Sequence, residues 1–336
     1  MKPREIFLAK LRRGAAPRPG IGTGTSIATV DLMDRVGASF PKAHLDTDKM
    51  VTLAGAAYTV LGYDNVMPLF SVWHESAALG CKVDWGKKHR MPDSRHHLCE
   101  NLHDEIRIPS DLLTRPECRV PLEALTLLKK RYGDEIAVMG KVFGPWTLGY
   151  HVFGVDNFLI GTITEIDAVK RAMRRLMEVT LGFGRAQIEA GADALLLADH
   201  ATRDLCRPEA YRDFLVETHQ EINQQLDCPL VLHICGDTSD RVGHIKKTGL
   251  DCFHFDSKVP TSTARRLAGS DLALMGGTSN YEVVRSGTPD DVTRDVAEKL
   301  ACNIEIIGPE CAVPLDAPYR NLKLIADEVR CQTGTS

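Results

Sequence analysis

Short apolar runs that end in polar or Gly-containing corners, each followed by an amphipathic segment, recur along this chain. No other feature constrains its fold as strongly. Strands are expected near residues 66–73, 136–143, 194–199, 229–235, 252–256, 272–276 and 303–307, with a weaker candidate at 20–25. Between them apolar residues recur at helical spacing over 165–190, 208–226, 289–302 and 316–331. Val169, Met173, Leu176, Val179 and Phe183 line one face of the first of these. Pro208 suits the first turn of its helix, and Thr288 is an N-cap followed by Pro289, Asp290 and Asp291. Strands that alternate with helices imply a parallel sheet, because each return to a parallel strand needs a crossover. Eight such units make a closed (β/α)8 TIM barrel; fewer would make an open, doubly wound sheet. No Pro/Gly/Ser-rich linker divides the 336 residues, so a single α/β barrel domain spanning 1–336 is expected. A helical extension precedes it, and the polar, non-periodic segment 84–109 is expected to form an elaborated loop over the barrel mouth.

Charge and composition exclude several classes of function. Forty-one Lys and Arg against 45 Asp and Glu give a net charge of −4, and the longest basic run is only Lys87-Lys88-His89-Arg90. Nucleic acid is therefore not an expected partner. No run of about 18 apolar residues marks a membrane span. The first thirteen residues are charged throughout and lack the apolar stretch of a signal peptide. Ten cysteines lie singly and far apart, which fits reduced thiols in a cytoplasmic protein better than a disulfide framework. Most of them, Cys252 and Cys302 included, are expected to fill apolar core.

His233 and Cys235 are the exceptions. They stand two apart on the run 229–235, so on a strand both side chains point to the same face, at the end where barrel active sites gather. An imidazole and a thiolate side by side make half of a tetrahedral zinc site. Cys311 follows another apolar run that ends in Gly308-Pro309, and it supplies a third donor. Two sulfurs and one imidazole leave a fourth position open, as a catalytic zinc requires. The competing reading is that the pair merely fills core, and spacing alone does not separate the two. Asp199 and His200 also end an apolar run where catalytic groups collect, and Asp199 is read as a catalytic candidate. His74 and Glu75 either shape the site or begin a helix. Gly20-Ile21-Gly22-Thr23-Gly24-Thr25 lacks the ending of a phosphate loop.

These residues carry a resemblance. His233-Ile234-Cys235-Gly236-Asp237-Thr238 and Gly308-Pro309-Glu310-Cys311 resemble the zinc motifs of the methylcobamide:coenzyme M methyltransferase family, part of the uroporphyrinogen decarboxylase superfamily. Thr29-Val30-Asp31-Leu32-Met33, Glu75-Ser76-Ala77-Ala78-Leu79-Gly80-Cys81 and Gly144-Pro145-Trp146-Thr147-Leu148 extend the likeness over nearly the whole chain. The resemblance implies a (β/α)8 barrel, zinc held by His233, Cys235 and Cys311, and a methylated corrinoid protein as methyl donor. The acceptor it implies is a small molecule: coenzyme M, homocysteine or tetrahydrofolate. A thiol is favoured over the folate nitrogen because metal binding removes a thiol proton and leaves the nucleophilic thiolate. Asp256, where relatives often carry Glu, is a catalytic candidate either as an exchangeable fourth ligand or as an acceptor that orients His233. One rival is a uroporphyrinogen decarboxylase-type lyase, which needs paired arginines; this chain offers Arg18 alone. The other is a metal-storage or corrinoid-protein-binding module without turnover.

Overall fold

The computed structural model describes residues 1–94 and 96–335. Eight strands form one parallel sheet: β1 (Gly20–Ile21), β2 (Asn65–Val66), β3 (Ala137–Phe143), β4 (Ala194–Ala198), β5 (Leu230–His233), β6 (Cys252–Phe255), β7 (Ala273–Gly276) and β8 (Ile306–Ile307). Neighbours pair in the order β1-β8-β7-β6-β5-β4-β3-β2. The Asp64 N–H donates to the Ile21 carbonyl at 2.8 Å, and the Asn65 side chain brackets the Thr23 backbone, so the two outer strands meet and the sheet closes. This is the (β/α)8 barrel that the alternation predicts, with all eight strands in their expected places.

The strands are shorter than the apolar runs. The run 66–73 pairs only through Asn65–Val66, because Pro68 has no N–H to give a ladder. The remainder continues as buried loop into the helix His74–Leu79, so His74 and Glu75 begin a helix. The long helix Ile166–Glu189 buries Val169, Met173, Leu176, Val179 and Phe183, as its periodicity requires. The segment 208–226 is interrupted: a π-helical stretch, Tyr211–Leu215, precedes the α-helix Val216–Gln225. Thr288 caps Pro289–Ala301 through the Asp291 N–H, with the reciprocal Asp291 bond in place.

The N-terminal helix Pro3–Leu11 closes the end of the barrel away from the expected site. Arg4 pairs with Asp193, Arg12 with Asp251 and Arg13 with Glu305, residues that precede β4, β6 and β8. Residues 84–94 and 96–109 lie across the rim after β2 and β3. The Trp85 ring is 5.3 Å from His74, and Leu102 packs on Gly161 of the helix Val155–Thr164. Among the described residues, no helix is long and apolar enough to cross a membrane.

Candidate active site

The ends of β5 and β8 bring His233, Cys235 and Cys311 together. His233 Nε2 lies 3.0 Å from Cys235 Sγ, and Cys235 Sγ lies 3.1 Å from Cys311 Sγ. Their donor atoms all fall within 4.8 Å of one another, the sole such group of three among the described residues. His233 is the last residue of β5, so its side chain rises at the C-terminal rim. The chain then turns through Gly236, whose φ of +81° suits glycine and where a Cβ would fall 2.4 Å from Thr202 Oγ1. Cys311 hangs from the turn that follows β8.

His254, a residue that the sequence reading gave no role, joins the two halves. Its carbonyl accepts from His233 Nδ1 at 3.2 Å, which leaves His233 Nε2 facing the sulfurs. Its own Nε2–H donates to the Pro309 carbonyl at 2.8 Å, steadying the turn that carries Cys311. Its position on β6 opposite His233 is the signal, visible only once register is known. Glu310 was also missed as a functional position. Its carboxyl accepts from the Ser257 and Asn280 N–H groups, both at 2.8 Å, and so ties together the loops after β6, β7 and β8.

Asp256 lies on the same rim but outside the three-donor group. Its Oδ2 accepts from the Gly236 N–H at 2.8 Å and its Oδ1 from the Lys258 N–H at 2.9 Å. It steadies the turn beside Cys235, while the acceptor that orients His233 is the His254 carbonyl. Asp199 is sealed from the cavity. Its Oδ1 accepts from the Thr147 N–H and hydroxyl, and its Oδ2 from His219 Nε2 at 3.1 Å. Thr147 Oγ1 in turn accepts from the His200 N–H at 2.7 Å, so Asp199 holds the backbone of a residue that does face the cavity.

Electrostatics bind the three donors into one unit. A hydrogen bond from Cys235 and the positive field of His233 hold the Cys311 thiol well below its ordinary range, against burial. Cys235 is pushed up as the partner that keeps its proton, through that bond and burial. Burial opposes charge on His233, but Cys311 and the His254 carbonyl raise it. Burial, reinforced by His233, lowers His200 and keeps that imidazole neutral. The cluster opens on a cavity of about 520 Å³ lined by Cys235, Cys311, His200, Asp256, Lys258 and Tyr281. A larger groove of about 810 Å³, along Leu159, Ile163 and Phe214, carries no such donor group.

Fold and cluster together define a (β/α)8-barrel enzyme whose C-terminal face carries three side chains able to hold a metal ion. The chain belongs to the uroporphyrinogen decarboxylase (URO-D) family, which matches residues 2–331. A methylated-thiol--coenzyme M methyltransferase of Methanosarcina mazei is 32% identical over 296 residues, covering 88% of this chain and 80% of the relative. The methylcobamide:CoM methyltransferase MtbA of Methanosarcina acetivorans is 28% identical over 97% of this chain and 96% of its own. A solved methyltransferase from Methanosarcina mazei superposes with a TM-score of 0.95 at 26% identity, covering 99% of each chain.

Proposed function

We propose that this chain is a zinc-dependent methyltransferase that moves a methyl group from a methylated corrinoid, carried by a corrinoid protein, to a small thiol such as coenzyme M. The convergence of one imidazole and two sulfurs on a shared centre carries this reading, together with relatives named for methyl transfer to coenzyme M. The donor set suits zinc, since two sulfurs and a nitrogen leave a tetrahedral position unfilled. His233, Cys235 and Cys311 would hold the ion. A bound zinc ion would favour the thiolate form of the acceptor, and with it a nucleophilic sulfur.

The chain's own residues prepare the rest. The His254 carbonyl presents Nε2 of His233, Glu310 and Asp256 fix the loops, and neutral His200 flanks the cavity without repelling a positively polarised methyl group. The cavity beside Cys235 and Cys311 offers one place in which acceptor sulfur and methyl group would meet in near-attack geometry. The new carbon–sulfur bond forms as the cobalt–carbon bond breaks, with its electron pair left on cobalt. Ten cysteines without disulfides fit a cytoplasmic setting.

Arg18, the arginine that stands where the lyase reading needs a pair, is 5% exposed at its side chain and bound bidentately by Asp64 at 2.6 and 2.9 Å. It has no face for a tetrapyrrole carboxylate. Incubation of zinc-loaded protein with methylcobalamin and 2-mercaptoethanesulfonate, homocysteine or tetrahydrofolate tests the function. S-methylation of a thiol, lost in Cys311→Ala, is expected. Transfer to the folate nitrogen alone, or to no acceptor, overturns the proposal.

A further inference from the structure

One wall of the site cavity is the loop after β4, which contributes His200, Thr202 and Asp204. Within that loop the Leu205 and Cys206 N–H groups both donate to the Thr202 carbonyl, at 3.1 and 3.0 Å. The carbonyls of Ala201 and Cys206, on either side of this turn, both accept from Arg241. Its Nη1 donates to Ala201 and its Nη2 to Cys206 at 2.9 Å, with Cys206 Sγ 3.3 Å from Nη1. Asp240 takes the rest of the fork, Oδ1 from Nε at 2.9 Å and Oδ2 from Nη2 at 3.3 Å. The Arg241 N–H donates to the Thr238 carbonyl at 2.9 Å, which fixes the backbone that carries it. Arg241 stands on the segment after β5, the same segment that bears Cys235.

The Arg241 side chain is fully buried, and a buried charge is costly to keep. Neutral donors would cap two carbonyls without that cost. The guanidinium adds reach, because its rigid planar fork of donors joins two loops at once. Both loops lead to the site. A Cβ on Gly236 would fall 2.4 Å from Thr202 Oγ1, so the loop after β4 touches the turn directly after Cys235. Thr147 Oγ1 accepts from the His200 N–H at 2.7 Å, and Arg241 holds the carbonyl of the next residue. The backbone around His200 is thus fixed from two separate elements. The exposed pair Arg203–Asp237, at 2.9 Å, spans the same two loops, but water leaves such a pair little strength. The buried fork is the stronger tie between the loop of His200 and the turn of Cys235.

We propose that Arg241 is a positioning residue: its guanidinium clasps the loop after β4 to the segment after β5 and so holds His200 at a set distance from Cys235 across the cavity. The inference rests on the methyl-transfer reading and adds a residue that acts on the reaction through His200. Arg241→Lys keeps the charge but cannot span both carbonyls, and it should leave zinc content unchanged. Methyl transfer from methylcobalamin to 2-mercaptoethanesulfonate should then fall by roughly ten- to a hundredfold, the cost of a misplaced group at a reacting centre. A double-mutant cycle separates positioning from general stability. His200→Ala should lose about as much by itself, and Arg241→Lys added to it should cost less than about twofold more. Losses that multiply, or an Arg241→Lys enzyme as fast as the wild type, overturn the proposal. Hydrogen exchange gives a readout that needs no turnover. Amides of residues 200–206 should exchange about tenfold faster in Arg241→Lys while those of β3 keep their rate. Unchanged exchange, or equal acceleration in both, refutes the clasp even if no thiol is methylated. If Arg241→Lys does not fold, Asp240→Asn decides, since it removes only the carboxylate that steadies the fork. The same local acceleration at 200–206 supports the clasp, and its absence refutes it.

Discussion

Cys235 Sγ and Cys311 Sγ lie 3.1 Å apart although 76 residues separate them along the chain. The barrel makes this possible because β5 and β8, with β6 and β7 between them, end on one rim. His254 of β6 then bridges the gap, with its carbonyl on His233 and its ring on Pro309.

Cys235→Ala and Cys311→Ala should each reduce bound zinc from about one ion per chain to a small fraction, because two donors do not retain a tetrahedral ion tightly. Methyl transfer should fall by more than about 100-fold, beyond the range expected for supporting residues. Metal analysis of purified variants, with circular dichroism to confirm the fold, checks this.

His254→Leu should keep the three donors yet weaken zinc affinity by about 10- to 100-fold, the usual cost of removing a partner that orients a ligand. The variant loses the 2.8 Å bond to the Pro309 carbonyl that places Cys311. Competition with a chelator of known affinity measures the change; unaltered affinity would show that the turn needs no such tie.

Asp199→Asn should act on stability before metal. The buried carboxyl serves Thr147 and His219, so losing an acceptor there should cost about 1–3 kcal/mol. Zinc content should stay near that of the wild type. Denaturant titration and metal analysis on one preparation separate the two effects, and a full loss of zinc would instead place Asp199 at the metal.

Breaking the Arg18–Asp64 pair leaves a fully buried carboxyl without its main partner. Arg18→Ala should therefore destabilise the barrel seam by about 3 kcal/mol. The Ile21 N–H still reaches Asp64, and Arg330 stands 3.8 Å away, which limits the loss. KM for thiol acceptors should not change, a result that kinetics at 25 °C would check.

Acid should unfold the protein earlier than its carboxyls alone require. Burial lowers His44 to about 2 and His74 and His151 to about 3, well under the unfolded value of 6.5. Between these limits the unfolded chain binds more protons, so stability rises with pH and is lost as pH falls below 6.5. Each histidine contributes a slope of up to about 1.4 kcal/mol per pH unit in that window. Urea unfolding from pH 7 to pH 5 should show this decline, and His44→Phe should make it shallower.

Much of the site was legible because strand alternation is local. His233 and Cys235 share a face at any strand end, and the Gly-Pro turn before Cys311 marks a second corner. Three roles were not legible. Asp256 sits at the rim, yet its carboxyl is committed to the Gly236 and Lys258 N–H groups. Asp199 ends an apolar run, as catalytic groups do, but the helix Val216–Gln225 covers it with His219. His254 looks like core between two phenylalanines until the register sets it beside His233.

By itself the sequence determined the succession of strands and helices and the identity of three metal-binding candidates. Those properties follow from periodicity and residue chemistry, which operate over a few neighbouring positions. Only the tertiary structure decided that the barrel closes, that Cys311 meets Cys235 and that Arg18 is spent on Asp64. Each depends on strand register and on which side chains a closed barrel forces inward, and those are relations between segments that no local pattern encodes.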